Sequence, residues 1–173
     1  MARSALALGM VLVASHCGSG GGATPAAASG DCCEIAPNPS LPAGMGSIVV
    51  RYPGGASSTR IDVYAAGDAS KSIDSDYGDA SLLLAPGTYD VTVGGRRVPG
   101  VSVQAGHDTR IRAGVLHVHA TEGTRIDVVD SNGEALASDY GEGLYGLPIG
   151  TVLVEVAGQR EPALIEDGEV TEF

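Results

Sequence analysis

The stretch LLLAPGTYDVTVGGRR, residues 82–97, decides the fold. It begins with a run of leucines, and Pro86-Gly87 follow as the middle pair of a predicted type II turn. Proline fixes φ at the first central position of such a turn, and glycine accepts the positive φ needed at the second. Beyond the turn, Tyr89, Val91 and Val93 alternate with polar residues, which predicts a β-strand with these three side chains on one face.

The chain from Gly46 onward is an internal duplication. The sequence TRIDV at residues 59–63 recurs identically at 124–128. Four shorter matches follow in the same order, pairing residues 75–78 with 138–141, 87–88 with 150–151, 95–97 with 158–160 and 105–111 with 167–173. Ordered matches at a nearly constant offset indicate tandem repeats. We therefore predict repeat 1 at residues 46–113 and repeat 2 at residues 114–173.

Composition predicts an all-β chain. The 173 residues include 26 glycines, one Phe and no Trp, and short β-branched runs alternate with turn residues. Each repeat is predicted to form a small antiparallel β-sandwich, of the immunoglobulin-like or prealbumin-like kind. The predicted strands are 47–52, 60–65, 81–85, 88–93, 100–104 and 109–112 in repeat 1, and 115–120, 125–129, 143–147, 151–156, 163–166 and 169–173 in repeat 2. Because residues 110–118 contain neither Pro nor a polar linker, we expect the repeats to stack.

The order of these motifs resembles a known family. GSIVV, RIDVY, LLLAPGTYDVTV and VSVQAGHDTRI look like the strands of carboxypeptidase regulatory-like (transthyretin-like) repeats, and YPGGA at residues 52–56 is similar to the opening of PEGA-type surface domains. The resemblance covers residues 46–173. It implies a β-sandwich used as a spacer, stalk or binding scaffold in exported proteins, and it implies no catalytic residue.

The N-terminus is predicted to be a lipoprotein signal peptide, residues 1–16. Its apolar run Ala5–Ala14 is too short to span a bilayer, which takes about 20 residues. Ala14-Ser15-His16-Cys17 resembles a bacterial lipobox, which implies that Cys17 carries lipid. The alternative is an ordinary export signal cut after Ala26–Ala28. Either way we expect an exported chain, and the lipobox implies anchoring in the cell envelope, at the outer membrane or cell surface.

Residues 17–45 are predicted to be a flexible linker rich in Gly, Ala and Pro. Within it lie Cys32 and Cys33, for which an oxidising compartment favours a disulfide. Adjacent cysteines close on each other only in a strained ring, so pairing with another chain is the alternative. A metal site here would need further ligands, and the linker offers none in a recognisable spacing.

Charge divides the repeats. Residues 46–113 hold seven basic and seven acidic side chains, whereas residues 114–173 hold two basic and twelve acidic ones, a net charge of −10. Two explanations stay open: solubility, or an acidic face that docks a basic partner or collects divalent cations. Nucleic acid and anionic lipid surfaces are disfavoured as partners because the field of repeat 2 repels them.

Two groups of residues are candidate metal ligands. Asp74, Asp76 and Asp79 have the spacing that begins a calcium loop, although a plain polar loop explains them too. His117 and His119 lie two apart on a predicted strand and therefore share a face, while Leu116 and Val118 point to the core. Two imidazoles can begin a zinc or copper site, but a third ligand has to come from elsewhere. Solvent-facing histidines are the alternative.

The sequence predicts a non-enzymatic, membrane-anchored protein outside the cytoplasm. No nucleophile elbow, phosphate loop or paired-carboxylate motif is readable, and no cofactor is expected. The expected role is a surface spacer or protein-interaction module with a protein partner in the cell envelope. The alternative is an envelope protein that binds a ligand or metal (calcium, zinc or copper) through the acidic repeat or the His117/His119 face.

Overall fold

The computed structural model describes residues 32–54, 56 and 58–173. Within them the chain is all-β and contains no helix. Repeat 1 consists of β1 (Cys33–Pro37), β2 (Gly46–Val50), β3 (Arg60–Ala65), β4 (Ser72–Tyr77), β5 (Ala80–Leu84), β6 (Gly87–Val93), β7 (Arg96–Val103) and β8 (His107–Ile111). Repeat 2 consists of β9 (Ala113–His119), β10 (Arg125–Val129), β11 (Ala135–Tyr140), β12 (Glu142–Pro148), β13 (Gly150–Val156), β14 (Gln159–Ile165) and β15 (Val170–Glu172). The described residues thus offer no helix of the length and apolar character that crossing a membrane requires.

Each repeat is a sandwich of two sheets. In repeat 1 the strand orders are β1-β8-β2-β5 and β4-β3-β6-β7, and in repeat 2 they are β12-β9-β15 and β11-β10-β13-β14. The tandem sandwich prediction is confirmed. Neighbouring strands run antiparallel except for the pairs β2–β8 and β9–β15, which are parallel. In repeat 1, β8 lies between β1 and β2 and runs parallel to β2, and in repeat 2, β15 likewise runs parallel to β9.

Period-two alternation builds the cores. In β6, Val91 and Val93 are fully buried, as the sequence predicts, and they face Ile48 and Ile61 in the core of repeat 1. Tyr89 is only half-buried, because the register with β7 shifts between Tyr89 and Val91. The core of repeat 2 is formed by buried residues of β9, β10, β12, β13 and β14, most of them valines, leucines and isoleucines.

The Pro86-Gly87 turn differs from the prediction. Gly87 does not have the positive φ of a type II turn. The strands on either side of it, β5 and β6, lie in different sheets, so this turn carries the chain from one layer of the sandwich to the other. A connection between layers does not need the tight reversal for which a type II turn is suited.

Three strands lie outside the predicted set. β4 and β11 were missed because most of their side chains are exposed, so no apolar alternation marks them. β1 falls inside the predicted linker 17–45: residues 33–37 pair with β8 along their whole length. Backbone hydrogen bonds to β8 order this segment although it contributes few buried side chains.

The two repeats are stacked by direct contacts. Asp167 lies 2.6 Å from Arg110 and 3.4 Å from Arg112, which joins β8 and the end of repeat 1 to the last loop of repeat 2. In the interior of the junction, the backbone N–H of Gly146 donates to Thr59 Oγ1 at 3.0 Å. A Cβ atom on Gly146 would lie 2.6 Å from Thr59 Oγ1 and from the ring of Tyr52. The junction is therefore close-packed.

Candidate functional site

The outer face of β9 carries the histidine pair predicted from the sequence. Leu116 and Val118 are fully buried in the core of repeat 2, so His117 and His119 point to the opposite face. The His117 side chain is 22% exposed and the His119 side chain is 56% exposed. Their ring centroids lie 3.9 Å apart. The sheet holds two imidazoles side by side at its surface.

Two carboxylates on the neighbouring strands complete a cluster with these imidazoles. Glu142 on β12 lies opposite His119, and Glu172 on β15 lies beside His117. His117 Nε2 is 2.8 Å from Glu142 Oε1, and His117 Nδ1 is 3.2 Å from Glu172 Oε2. His119 Nε2 is 3.1 Å from the same Glu172 oxygen. We call these four residues the His–Glu cluster.

The carboxylates change the electrostatics of His117. The hydrogen bond with Glu142 raises the pKa of His117 most, and the nearby charge of Glu172 raises it further, while partial burial opposes both. Carboxylates only accept hydrogen bonds, so a His117 that engages both donates from both ring nitrogens, as the imidazolium form does. In the absence of another cation, the cluster therefore favours a proton on His117.

A shallow groove of 620 Å³ runs along the cluster. Leu144 and Val170 line it beside His117, and Pro53 and Gly54, from the loop after β2 in repeat 1, line it as well. The cluster is thus reached from solvent and lies next to the junction between the repeats.

The donor atoms of the cluster suit ion binding. The ligand atoms of His117, His119 and Glu172 all lie within 4.8 Å of one another. Sequence reasoning found the histidines but missed Glu142 and Glu172 as their neighbours. The alternation of β12 gave a usable signal for Glu142. Glu172 becomes a neighbour only through the parallel pairing of β15 with β9, which no local pattern shows.

Among the described residues, the three aspartates considered for calcium, Asp74, Asp76 and Asp79, do not form a group whose ligand atoms lie within 4.8 Å of one another. Asp74 and Asp76 lie on β4, and each accepts a hydrogen bond from the backbone N–H of the next residue. Asp79 instead accepts from the backbone N–H of Tyr52 at 2.9 Å. The expected loop is a strand, and an extended backbone spreads side chains that a calcium loop would gather.

Cys32 and Cys33 lie at the edge of repeat 1. Their Sγ atoms are 2.8 Å apart, in contact with each other. Both side chains pack against the core of repeat 1, and burial raises the pKa of the Cys33 thiol. Cys17, the predicted lipid attachment site, lies outside the described residues, as do the predicted signal peptide and the first part of the linker.

Comparisons with known proteins identify no family for this chain. No family model matches the chain, and no curated protein matches it. Among solved structures it is similar to the Bacillus anthracis TIE protein, with 12% identity and a TM-score of 0.35, over 74% of this chain and 33% of that one. The chain thus spans about a third of that protein, and the likeness carries no argument about function. The resemblance to carboxypeptidase regulatory-like and PEGA repeats stays a prediction.

Proposed function

We propose that this chain is a non-enzymatic, exported protein, anchored to the cell envelope through Cys17, whose two repeats act as a stiff spacer that presents repeat 2 to a protein partner. The N-terminal sequence supports export and anchoring. The single structural observation that supports a stiff spacer is the close-packed junction between the repeats.

The junction resists bending for two reasons. Asp167 joins two arginines of repeat 1, and at least one side chain of each pair is partly buried, which strengthens such contacts relative to exposed ones. The hydrogen bond between Thr59 and Gly146 is buried, so bending the repeats apart would leave a polar group without water or partner. Two sandwiches joined in this way move as one unit.

The charge distribution supports a basic partner for repeat 2. Repeat 2, which carries a net charge of −10, follows the neutral repeat 1 and lies farther along the chain from the proposed anchor. Fields of this kind steer association and are screened by salt, with a Debye length of about 8 Å at physiological ionic strength.

The anchoring proposal is tested by fractionation. Cys17→Ala should release the full-length protein from the membrane fraction, whereas the matched variant Cys32→Ser, Cys33→Ser should stay with the wild type. A wild-type protein found wholly in the soluble fraction contradicts the anchor.

Docking of a partner needs a separate test. Binding of an envelope protein captured by the wild type should weaken as salt rises, and neutralising Glu122, Glu134 and Glu161 should slow its association. Binding that changes neither with salt concentration nor with these substitutions excludes docking through the acidic face.

A further inference from the structure

We propose that the His–Glu cluster binds one Zn²⁺ ion through His117 Nδ1, His119 Nε2 and a carboxylate oxygen of Glu172, while Glu142 orients His117 through its other ring nitrogen. Two imidazole nitrogens and one carboxylate oxygen are a standard set of protein ligands for zinc, and water can supply the fourth ligand. This inference goes beyond the spacer role and does not depend on it, since it concerns one face of repeat 2 alone.

The spacing of the donors fits a small tetrahedral ion. Zinc with ligands at about 2.0–2.1 Å requires ligand atoms separated by about 3.3 Å. Glu172 Oε2 is 3.2 Å from His117 Nδ1 and 3.1 Å from His119 Nε2, so these three atoms can serve one ion. Glu142 instead contacts the other ring nitrogen, Nε2, of His117 at 2.8 Å. Small side-chain rotations are therefore enough for the three ligands to reach the ion, and the backbone can stay in place.

The strands hold the ligands in position beforehand. His117 and His119 share β9, and the ladder places Glu142 and Glu172 on the two flanking strands in fixed register. The side chains of Leu116 and Val118 are buried in the core, so β9 cannot slip by one residue without exposing them. Preorganised ligands lose little conformational freedom when the ion binds.

The same face of repeat 1 shows that this chemistry is specific to repeat 2. β2 takes the place of β9, with Val49 and Arg51 at the histidine positions, and Arg110 of β8 takes the place of Glu172. Arg51 donates to the carbonyl of Ala80 at 2.6 Å, and Arg110 binds Glu34 and Asp167. Repeat 1 therefore has guanidinium groups fixed on this face. In repeat 2 the two glutamates supply two negative charges that Zn²⁺ would balance.

The nitrogen donors decide which metal class the cluster prefers. Calcium and magnesium select oxygen ligands, whereas imidazole suits zinc and copper. Near-tetrahedral separations of the donors favour zinc over Cu²⁺, which prefers a square arrangement.

Calorimetric titration of Zn²⁺ into untagged full-length protein tests the proposal. We use a Cys17→Ala, Cys32→Ser, Cys33→Ser background, because thiols bind zinc on their own. One ion per chain is expected, with no heat from Ca²⁺ at the same concentration. His119→Ala and Glu172→Gln should each weaken binding at least tenfold. The matched control His107→Ala, on β8 of repeat 1, should leave zinc binding unchanged.

Two further measurements use no ligand-removing variant, so they stay informative if those variants fail to fold. Cobalt in place of zinc should give the visible absorption of a tetrahedral ion, and the imidazole NMR signals of His117 and His119 should shift while that of His107 does not. Absence of one-to-one binding by the wild type overturns the proposal. Zinc binding of equal affinity in a folded His117→Ala, His119→Ala protein overturns it as well.

Discussion

The two repeats have kept the same inner face and changed the outer one. Gly46 and Gly114 occupy equivalent places: a Cβ atom would lie 2.3 Å from the carbonyl oxygen of Gln104 in repeat 1 and 2.2 Å from that of Glu166 in repeat 2. Both strands continue with fully buried residues on the core side. The duplication thus preserved packing, while side chains that face solvent were free to acquire different chemistry.

The edges of the equivalent sheets differ as well. In repeat 1, β1 covers the outer edge of β8, whereas in repeat 2 the corresponding strand β15 has β9 as its one partner among the described strands. β15 is three residues long and ends in Glu172. A short, charged edge strand resists pairing with other chains, so repeat 2 tolerates an open edge without a covering strand.

The largest expected effect comes from breaking the inner face that the repeats share. Leu82 is 5% exposed and Leu83 is 43% exposed on the same strand. Leu82→Asp buries an unpaired charge and should destabilise the protein by about 4 kcal/mol or more, measured by denaturant unfolding. Leu83→Asp, the matched control, should change stability by about 0.5 kcal/mol. Equal losses from both would mean that the faces of β5 are assigned wrongly.

The next effect sharpens the comparison at the junction. Gly146 occupies the position that Leu83 holds in repeat 1, and it contacts Thr59 and Tyr52. Gly146→Leu introduces the leucine that repeat 1 has at this position, and overpacking should lower the free energy of unfolding by about 2 kcal/mol. X-ray scattering should show a larger maximum dimension as the repeats separate. The reciprocal Leu83→Gly should cost about 1 kcal/mol at most and leave the dimension unchanged; an unchanged dimension for Gly146→Leu contradicts the stiff junction.

A smaller effect tests the ion pairs between the repeats. The hydrogen bond from Arg110, helped by Arg112, lowers the pKa of Asp167 below its ordinary value of 3.8. This carboxylate therefore contributes stability above that value, and the contribution is lost as pH falls through the lowered pKa. Asp167→Asn should cost about 1 kcal/mol at pH 7 and flatten the acid limb of a stability–pH curve. Glu155→Gln, which removes an exposed ion pair with Arg160, should change neither the stability at pH 7 nor the acid limb of the curve.

Sequence reasoning predicted what depends on short-range patterns. The buried valines of β6 and the shared face of His117 and His119 both follow from period-two alternation. Those features are local, and the structure agrees with them because burial of one sheet face selects the register.

The features that were missed depend on pairing across the chain. β1 is ordered by hydrogen bonds to β8, some 70 residues later, and its own side chains carry no burial signal. Glu172 joins the histidines because the last strand of the repeat runs parallel to the first. The duplication extends this pairing from one copy to the other, since β2–β8 and β9–β15 are both parallel, but the sequence alone shows neither pair.

The smallest effect concerns protonation on the face that distinguishes the repeats. Glu142 of β12 and Glu172 of β15 face His117, with His119 alongside, and the carboxylates raise its pKa above the ordinary 6.5. Below that ordinary value the interaction stabilises the fold in full, and it is lost as pH rises through the raised pKa.

NMR titration of the imidazole signals in a metal-free, chelator-treated sample measures this shift. Glu142→Gln should lower the His117 pKa more than Glu172→Gln, because the hydrogen bond to Glu142 is the largest cause of the shift. Both variants should leave the His107 signals of repeat 1 unchanged, since His107 bonds the carbonyl of Ala105 instead. A His117 pKa that neither substitution moves would show that the carboxylates do not engage the imidazole in solution, and repeat 2 would then differ from repeat 1 on this face in composition alone.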